Sequence, residues 1–290
     1  MDAVRKKIEK KLVQKTRSKP GQIVILVVLI IGALLMFFPF YWAFIGSLKT
    51  KAEIWQLPPT FLPETAMWSN YAETLQSTIP LYIFNSFFTS GIITIYCLVS
   101  SAMLAYVMVR YSFRLKTPLF ALLLSMYMLP GPATHIPAYV LLAKMNLLDT
   151  FTGLIISYCA SIYTIFLLRQ YFLQVDKGLI EAAEIDGAGD MYILWRVMIP
   201  VSKPAVIVAT LHLFIIHYNT YIWPMLITKS PEKFLVAQGL RAFFVQEAGY
   251  GSKLPQLMAA NIMVIIPMLV LFAILQKWFE SGISTAGAKG

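Results

Sequence analysis

Charged residues divide this chain into six long uncharged stretches, which lie between Lys19 and Lys49, Glu73 and Arg110, Lys116 and Lys144, Asp149 and Arg169, Lys203 and Lys229, and Lys253 and Lys277. Each holds the roughly 20 residues that a helix needs to cross a bilayer core of about 30 Å. Unpaired backbone groups are costly in hydrocarbon, so such stretches fold as helices, and the period-two alternation of a membrane barrel is absent. The pattern predicts an all-α membrane protein with six transmembrane helices and both termini on one side.

Local chemistry modulates this pattern. The second stretch carries Asn85 and Ser86 and then Ser90, Gly91, Ser100, Ser101, Ala102 and Ala105, small residues that let helices approach closely. Asn85 either faces a polar path or gives its amide to a neighbouring carbonyl. The third stretch is interrupted by Leu129-Pro130-Gly131-Pro132, followed by His135 and Pro137. Proline removes donors and obstructs regular helix, so the chain must kink or unwind there, as broken helices beside transport paths do. His135 is therefore either a pathway residue or a packed, hydrogen-bonded side chain. The fourth stretch predicts a span from about Gly153 to Phe172. Between the first two stretches, the segment from about Thr50 to Leu81 contains Trp55, Trp68, Pro58, Pro59 and Pro63. It is too polar to span and too aromatic to be a flexible linker, which predicts an ordered cap at the outer interface.

Composition agrees: 58% of residues are hydrophobic and 13% charged, against about 45–50% and about 25% in ordinary soluble domains. The net charge of +10, without a nucleic-acid recognition motif, reflects loops held on the cytoplasmic face, where anionic lipid is a partner and nucleic acid is not. Residues 1–20 form a basic cytoplasmic tail that includes Arg5, Lys6, Lys7, Lys10 and Lys11, ahead of a transmembrane permease domain over 21–290. Of the 24 lysines and arginines, only Lys49, Lys51, Lys144, Lys229, Lys233, Arg241 and Lys253 fall on the opposite side in an N-in, C-in topology. The apolar run after Lys19 exceeds a signal-peptide core and lacks an A-x-A site, so it reads as a retained first span. Cys97 and Cys159 both sit in apolar stretches and pack as small apolar residues.

The loop between the fourth and fifth stretches, about 176–203, is different in kind. It reads E-A-A-E-I-D-G-A-G-D-M-Y-I-L-W-R-V-M-I-P from Glu181 to Pro200. Good helix formers predict a short helix over about Lys177 to Ala188, with Glu181 and Glu184 near its positively polarised start and Gly187 near its end. Ala182 and Ala183 leave one side without bulk, so a partner can approach the backbone. Glu181, Glu184, Asp186 and Asp190 offer acceptors to a basic partner.

Glu181-Ala182-Ala183, then Gly187, nine residues, Val197, a spacer, Ile199 and Pro200 resemble the cytoplasmic EAA loop of membrane subunits in ATP-binding-cassette (ABC) importers, with Val197 and Ile199 as conservative departures. The resemblance implies a coupling helix that docks into a cleft on an ATPase subunit through Glu181, Ala182, Ala183, Asp186, Gly187 and Pro200. Tyr218-Asn219-Thr220-Tyr221 stands where carbohydrate-importer members often carry W-N-D and an aromatic residue. Gly282 to Gly290 is similar to the closing G-x-T-x-G-x-x-K-G of sugar-importer permeases, with Ser284 inserted, and implies that a cytoplasmic tail over about 278–290 makes a second ATPase contact. Asn85, His135, Tyr218, Asn219 and Trp223 are candidate substrate-pathway residues, since rings cover the C–H faces of sugars and amides bond hydroxyls. An aromatic belt at the outer interface accounts for Tyr221 and Trp223 equally well.

No energy source lies in the chain itself. Gly282 and Gly287 have phosphate-loop spacing, but Ala288 stands where lysine must follow. H-E-x-x-H, G-x-S-x-G and an intramembrane carboxylate pair are all absent from the sequence, which disfavours an enzyme or an ion-coupled secondary carrier. The expected protein is a non-enzymatic permease subunit of a maltose-type carbohydrate importer in a bacterial-type cytoplasmic membrane, with an oligosaccharide as substrate. Its implied partners are a second permease, two ATPase subunits that bind ATP and Mg, and an extracytoplasmic solute-binding protein. No cofactor or metal is expected on this chain, and glycerol phosphate or another polar solute is the alternative substrate.

Overall fold

The computed structural model describes residues 19–247 and 253–287, with side chains over 21–245 and 253–276. Nearly all of the basic tail and the side chains of the closing glycine-rich motif therefore lie outside the described residues. The described residues build helices joined by irregular segments. Helix α1 (Lys19–Ser47) is apolar on every side and buries almost nothing before Ile45, a pattern suited to lipid or another chain rather than water. The following segment is ordered, as expected: α2 (Lys51–Ile54) and α3 (Ser69–Gln76) are tied back when Asn70 Nδ2 donates to the Ser47 and Lys49 carbonyls at 2.8 and 3.0 Å, while Glu53 accepts from Thr60 and the Glu64 amide.

Helix α4 (Ile79–Arg110) is the axis of the bundle. Its 32 residues run without an internal proline and bury Ser86, Thr89, Ser90, Ser101, Ala102 and Ala105. The small-residue face packs against α8 (Ile162–Phe172) and α11 (Lys203–Tyr218), and α11 in turn packs against α14 (Leu254–Gly287). Helix α14 also lies along α1, where a Cβ on Gly46 would sit 2.1 Å from Met258 Sδ, so that position admits only glycine without rearrangement. Its backbone continues through the first ten residues of the expected C-terminal tail, as far as Gly287.

Three described helices are long and apolar enough to cross a membrane, a figure that reaches five when each of two bent helix pairs is counted as one span. The proline-rich break appears where the sequence places it: α5 (Lys116–Tyr127) and α6 (Gly131–Lys144) meet at 100°. The fourth stretch departs from the single span expected over Gly153 to Phe172. It forms α7 (Phe151–Ile156) and α8, separated by an irregular segment over 157–161. Three nearby residues of α4 make this break tolerable. Cys97 Sγ donates to the Tyr158 carbonyl at 2.9 Å, Ser100 Oγ donates to the Cys159 carbonyl at 2.6 Å, and Ser101 Oγ accepts from the Ser161 amide at 3.0 Å. The hydroxyls read as packing residues thus also replace the hydrogen bonds that a continuous helix would have made. Cys97 and Cys159 are both free thiols.

At the end of the bundle where α4 begins, Asn85 Nδ2 donates to the Glu232 and Phe234 carbonyls at 2.8 and 3.1 Å, and Ser86 Oγ accepts from the Val236 amide at 2.7 Å. Asp149 closes the same region by accepting from the Lys229 and Ser230 amides, the Ser230 hydroxyl and Lys233 Nζ. Ser230 first and the other donors after it hold the Asp149 carboxyl well below the usual range. The Asn85→Leu variant leaves both carbonyls without their donor while keeping the number and branching of side-chain heavy atoms. It is expected to lose about 1–3 kcal/mol, read as a lowered midpoint of thermal unfolding in detergent.

Candidate functional site

The Glu181 region begins at Asp176, whose Oδ1 accepts from the Gly178 amide at 3.0 Å and caps α9 (Lys177–Ile185). This corrects one expectation: the cap is Asp176, and Glu181 lies midway along the helix, beyond its polarised first turn. The far end is a left-handed turn at Gly187, φ +80°. The Gly187 amide donates to the Glu184 carbonyl at 3.0 Å and the Ala188 amide to the Ala183 carbonyl at 2.9 Å. These paired bonds satisfy the last carbonyls of the helix, and they explain the alanine-to-glycine spacing physically. Ala183 supplies the third-last carbonyl, and four residues later only glycine takes the positive φ without strain.

The helix has two unlike faces. Ile180 and Ala183, with Ala188 beyond the turn, pack on a core made by Tyr106, Leu168, Phe172, Ile193, Leu194 and Met198. Ala182, Ile185 and Asp186 point outward, and Ile185 is 87% exposed. Ala183 therefore does not belong to the smooth outer side expected for it, while Ile185 does. After Gly189, α10 (Asp190–Val201) includes a wide π-helical turn over Ile193–Met198, in which the Ile199 amide reaches back to the Leu194 carbonyl. Pro200, exposed and without an N–H, follows the last of these bonds, and Ser202 then turns the chain by 88° into α11.

Two of the four proposed acceptors already have a partner. Arg110, the last residue of α4, pairs with Glu184 and stands 3.9 Å from Asp190 Oδ1. Tyr106 donates to Asp190 Oδ1 at 2.7 Å and Tyr111 to Oδ2 at 2.5 Å. The Tyr111 and Tyr106 hydroxyls, then the Arg110 guanidinium, hold the Asp190 carboxyl below its ordinary range, so it stays ionised at neutral pH, and donation to Asp190 raises the Tyr111 phenol. Arg110, Tyr106 and Tyr111 escaped the sequence reading. A usable signal existed in the four-residue spacing of Tyr106 and Arg110, which puts phenol and guanidinium on one helix face. Arg110, Lys177, Glu181 and Glu184 line a cavity of about 440 Å³ floored by Val109 and Phe172.

The other singled-out residues lie away from this loop and are only partly brought together. His135, half-buried, stacks on Trp223 with ring centroids 5.2 Å apart. Trp223 is buried and its Nε1 has no partner. Tyr218 is fully buried and donates to the Val264 carbonyl at 3.0 Å, Asn219 is exposed with its amide on the Ile215 carbonyl, and Asn85 is engaged as described above.

Residues 13–285 match the family described as "Binding-protein-dependent transport system inner membrane component". The chain belongs to this family. As a permease subunit of an ABC transporter it is a non-catalytic component of transport in the inner membrane. It is 34% identical over 264 residues to the sn-glycerol-3-phosphate transport system permease protein UgpE of Yersinia enterocolitica, covering 89% of this chain and 94% of that one. It is 29% identical to the arabinooligosaccharides transport system permease protein AraQ of Bacillus subtilis, covering 89% and 92%. Among solved structures it is similar to a chain of a bacterial ABC transporter involved in the import of the acidic polysaccharide alginate, with 27% identity, a TM-score of 0.77 and coverage of 91% and 99%.

The permease's left-handed turn makes a local prediction. Gly187→Val forces a branched side chain into a conformation costing roughly 1–2 kcal/mol. Amide exchange at position 187 and at Ala188 of the permease should rise, while exchange in α4 stays unchanged.

Proposed function

We propose that this chain is one of two permease subunits of an ATP-driven, binding-protein-dependent importer of a carbohydrate, an oligosaccharide, in a bacterial-type cytoplasmic membrane. Helix α9 is the coupling helix. The observation that carries this reading is its two-faced geometry: Ile180 and Ala183 fasten it to the bundle, and Ala182, Ile185 and Asp186 stand clear for a partner. ATP and Mg belong to two ATPase subunits. ATP binding draws the coupling helices together and opens the path outward, and hydrolysis reverses the movement. Glu181, Gly187 and Pro200 belong to the docking element, and residues 278–290 make a second contact with the ATPases.

In this reading six crossings, α1, α4, α5 with α6, α7 with α8, α11 with α12 (Ile222–Ile227), and α14, run N-in and C-in. Support comes from the positive-inside bias and from the segregation of loops, since Arg110 and Asp190 meet at one end of α4 while Asn85 meets Glu232 at the other. The largely exposed apolar surface of α1 before Ile45 suits lipid and the second permease. Along the path, Asn85 and Tyr218 hold the wall through their carbonyl bonds. His135, Asn219 and Trp223 are the residues placed to meet substrate, Trp223 through its unpartnered Nε1. The name of the Bacillus subtilis relative and the alginate importer favour an oligosaccharide. The higher identity to a glycerol-3-phosphate permease favours the second reading, a glycerol phosphate.

Two measurements on the complex assembled with its ATPases and binding protein test this. Uptake of radiolabelled oligosaccharides into proteoliposomes should depend on ATP and exceed uptake of sn-glycerol 3-phosphate; the reverse order selects the second substrate. A cysteine introduced by Ala182→Cys should cross-link to an ATPase subunit, and reaction with solvent reagents alone refutes the docking role.

A further inference from the structure

We infer that Arg110, Glu184 and Asp190, with the Tyr106 and Tyr111 hydroxyls, form a clasp that makes α4 a third carrier of movement from the coupling helix. The inference rests on the reading of α9 as the docking element. It goes beyond that reading, since the covalent connections of the loop lead only to α8, through residues 173–176, and to α11, through Ser202. Helix α4 is some eighty positions earlier in the chain, as the separations of 79 and 84 residues between Asp190 and its two tyrosines make plain. This cluster and the apolar packing beneath it join α4 to the loop across that gap in the chain.

The geometry suits transmission. Asp190 opens α10 and Glu184 lies in the last turn of α9, so the guanidinium bridges the helix before the Gly187 turn and the helix after it. Two phenols donate to different oxygens of one carboxylate, and the guanidinium beside it also holds Glu184, so sliding or rotation of the loop against α4 breaks charge-assisted hydrogen bonds at both helices. Helix α4 is unbroken and about 48 Å long at 1.5 Å per residue. At its far end, Asn85 and Ser86 grip the backbone over 232–236. One rigid rod thus has the coupling loop clasped at one end and the 232–236 segment at the other. Arg110, Tyr106 and Asp190 are positioning residues that act through α4, not through substrate.

The test uses the complete transporter with the Glu184→Gln and Asp190→Asn substitutions together, which keep shape and remove the charges facing Arg110. The readouts are solute taken up per ATP hydrolysed and the ATP-dependent change in reactivity of a Glu232→Cys label. Substitutions along a coupling network change coupling by roughly 0.5–2 kcal/mol, so uptake per ATP should fall about two- to thirtyfold, and the label response should shrink with it. Asp190→Glu, which restores the carboxylate, should regain most of both. Tyr111→Phe removes one donor from a half-exposed ring, and gives the answer if the double variant does not assemble: it should lower the ratio about twofold. An unchanged ratio and an unchanged Glu232→Cys response in either assembled variant overturn the clasp. Cross-linking from Ala182→Cys in the same preparations separates the two ideas, because its loss in the unmodified clasp would refute docking itself.

Discussion

One carboxylate fixes how the end of the bundle that carries the Glu181 loop is built. Asp190 is held by two phenols and a guanidinium that all come from the last turn of α4 or the residue after it. The same guanidinium takes Glu184, so a single cationic group sets the positions of α9 and α10 together. These groups are partly exposed, and an exposed ion pair alone contributes little. What gives the cluster weight is that its charge-assisted bonds stand over an apolar core in which Leu168, Phe172, Ile193, Leu194 and Met198 are almost wholly buried. Packing supplies the stability and the clasp supplies the register.

A second constraint recurs at two irregular segments of the bundle, where one helix supplies hydrogen bonds to the loose backbone of another part of the chain. Cys97, Ser100 and Ser101 do so for the irregular segment 157–161, and Asn85 and Ser86 do so for 232–236. All five belong to α4. A protein that crosses a bilayer has no water in the hydrocarbon to meet these groups. Polar side chains on the central rod therefore stand in for water along this irregular backbone.

The sequence disclosed what depends on local pattern. The uncharged stretches, the break at Leu129 to Pro132 and the glycine closing the Glu181 helix follow from hydropathy, proline stereochemistry and the left-handed region, none of which needs a tertiary partner. The division of the fourth stretch was illegible because Tyr158 to Ser161 carries no proline or glycine; only the hydroxyls and thiol of a helix some sixty residues earlier make the interruption affordable. The engagement of Glu184 and Asp190 was hidden for the same reason, since Arg110 looked like a boundary charge. Ala183 faces inward, against expectation, because the orientation of a nine-residue helix is set by the core beneath it.

Family membership says that a permease of this kind receives its energy from elsewhere, and the central claim is that the receiving element moves as one body with α4. The most direct test places spin labels at Leu179→Cys and Val107→Cys, both on exposed sites, in an otherwise cysteine-free assembled transporter. Pulsed electron paramagnetic resonance then gives their separation without nucleotide and in the ATP-trapped state. The account predicts that this distance holds to within about 2 Å, the scale of small helix shifts; a larger displacement of α9 away from α4 on ATP binding would contradict it.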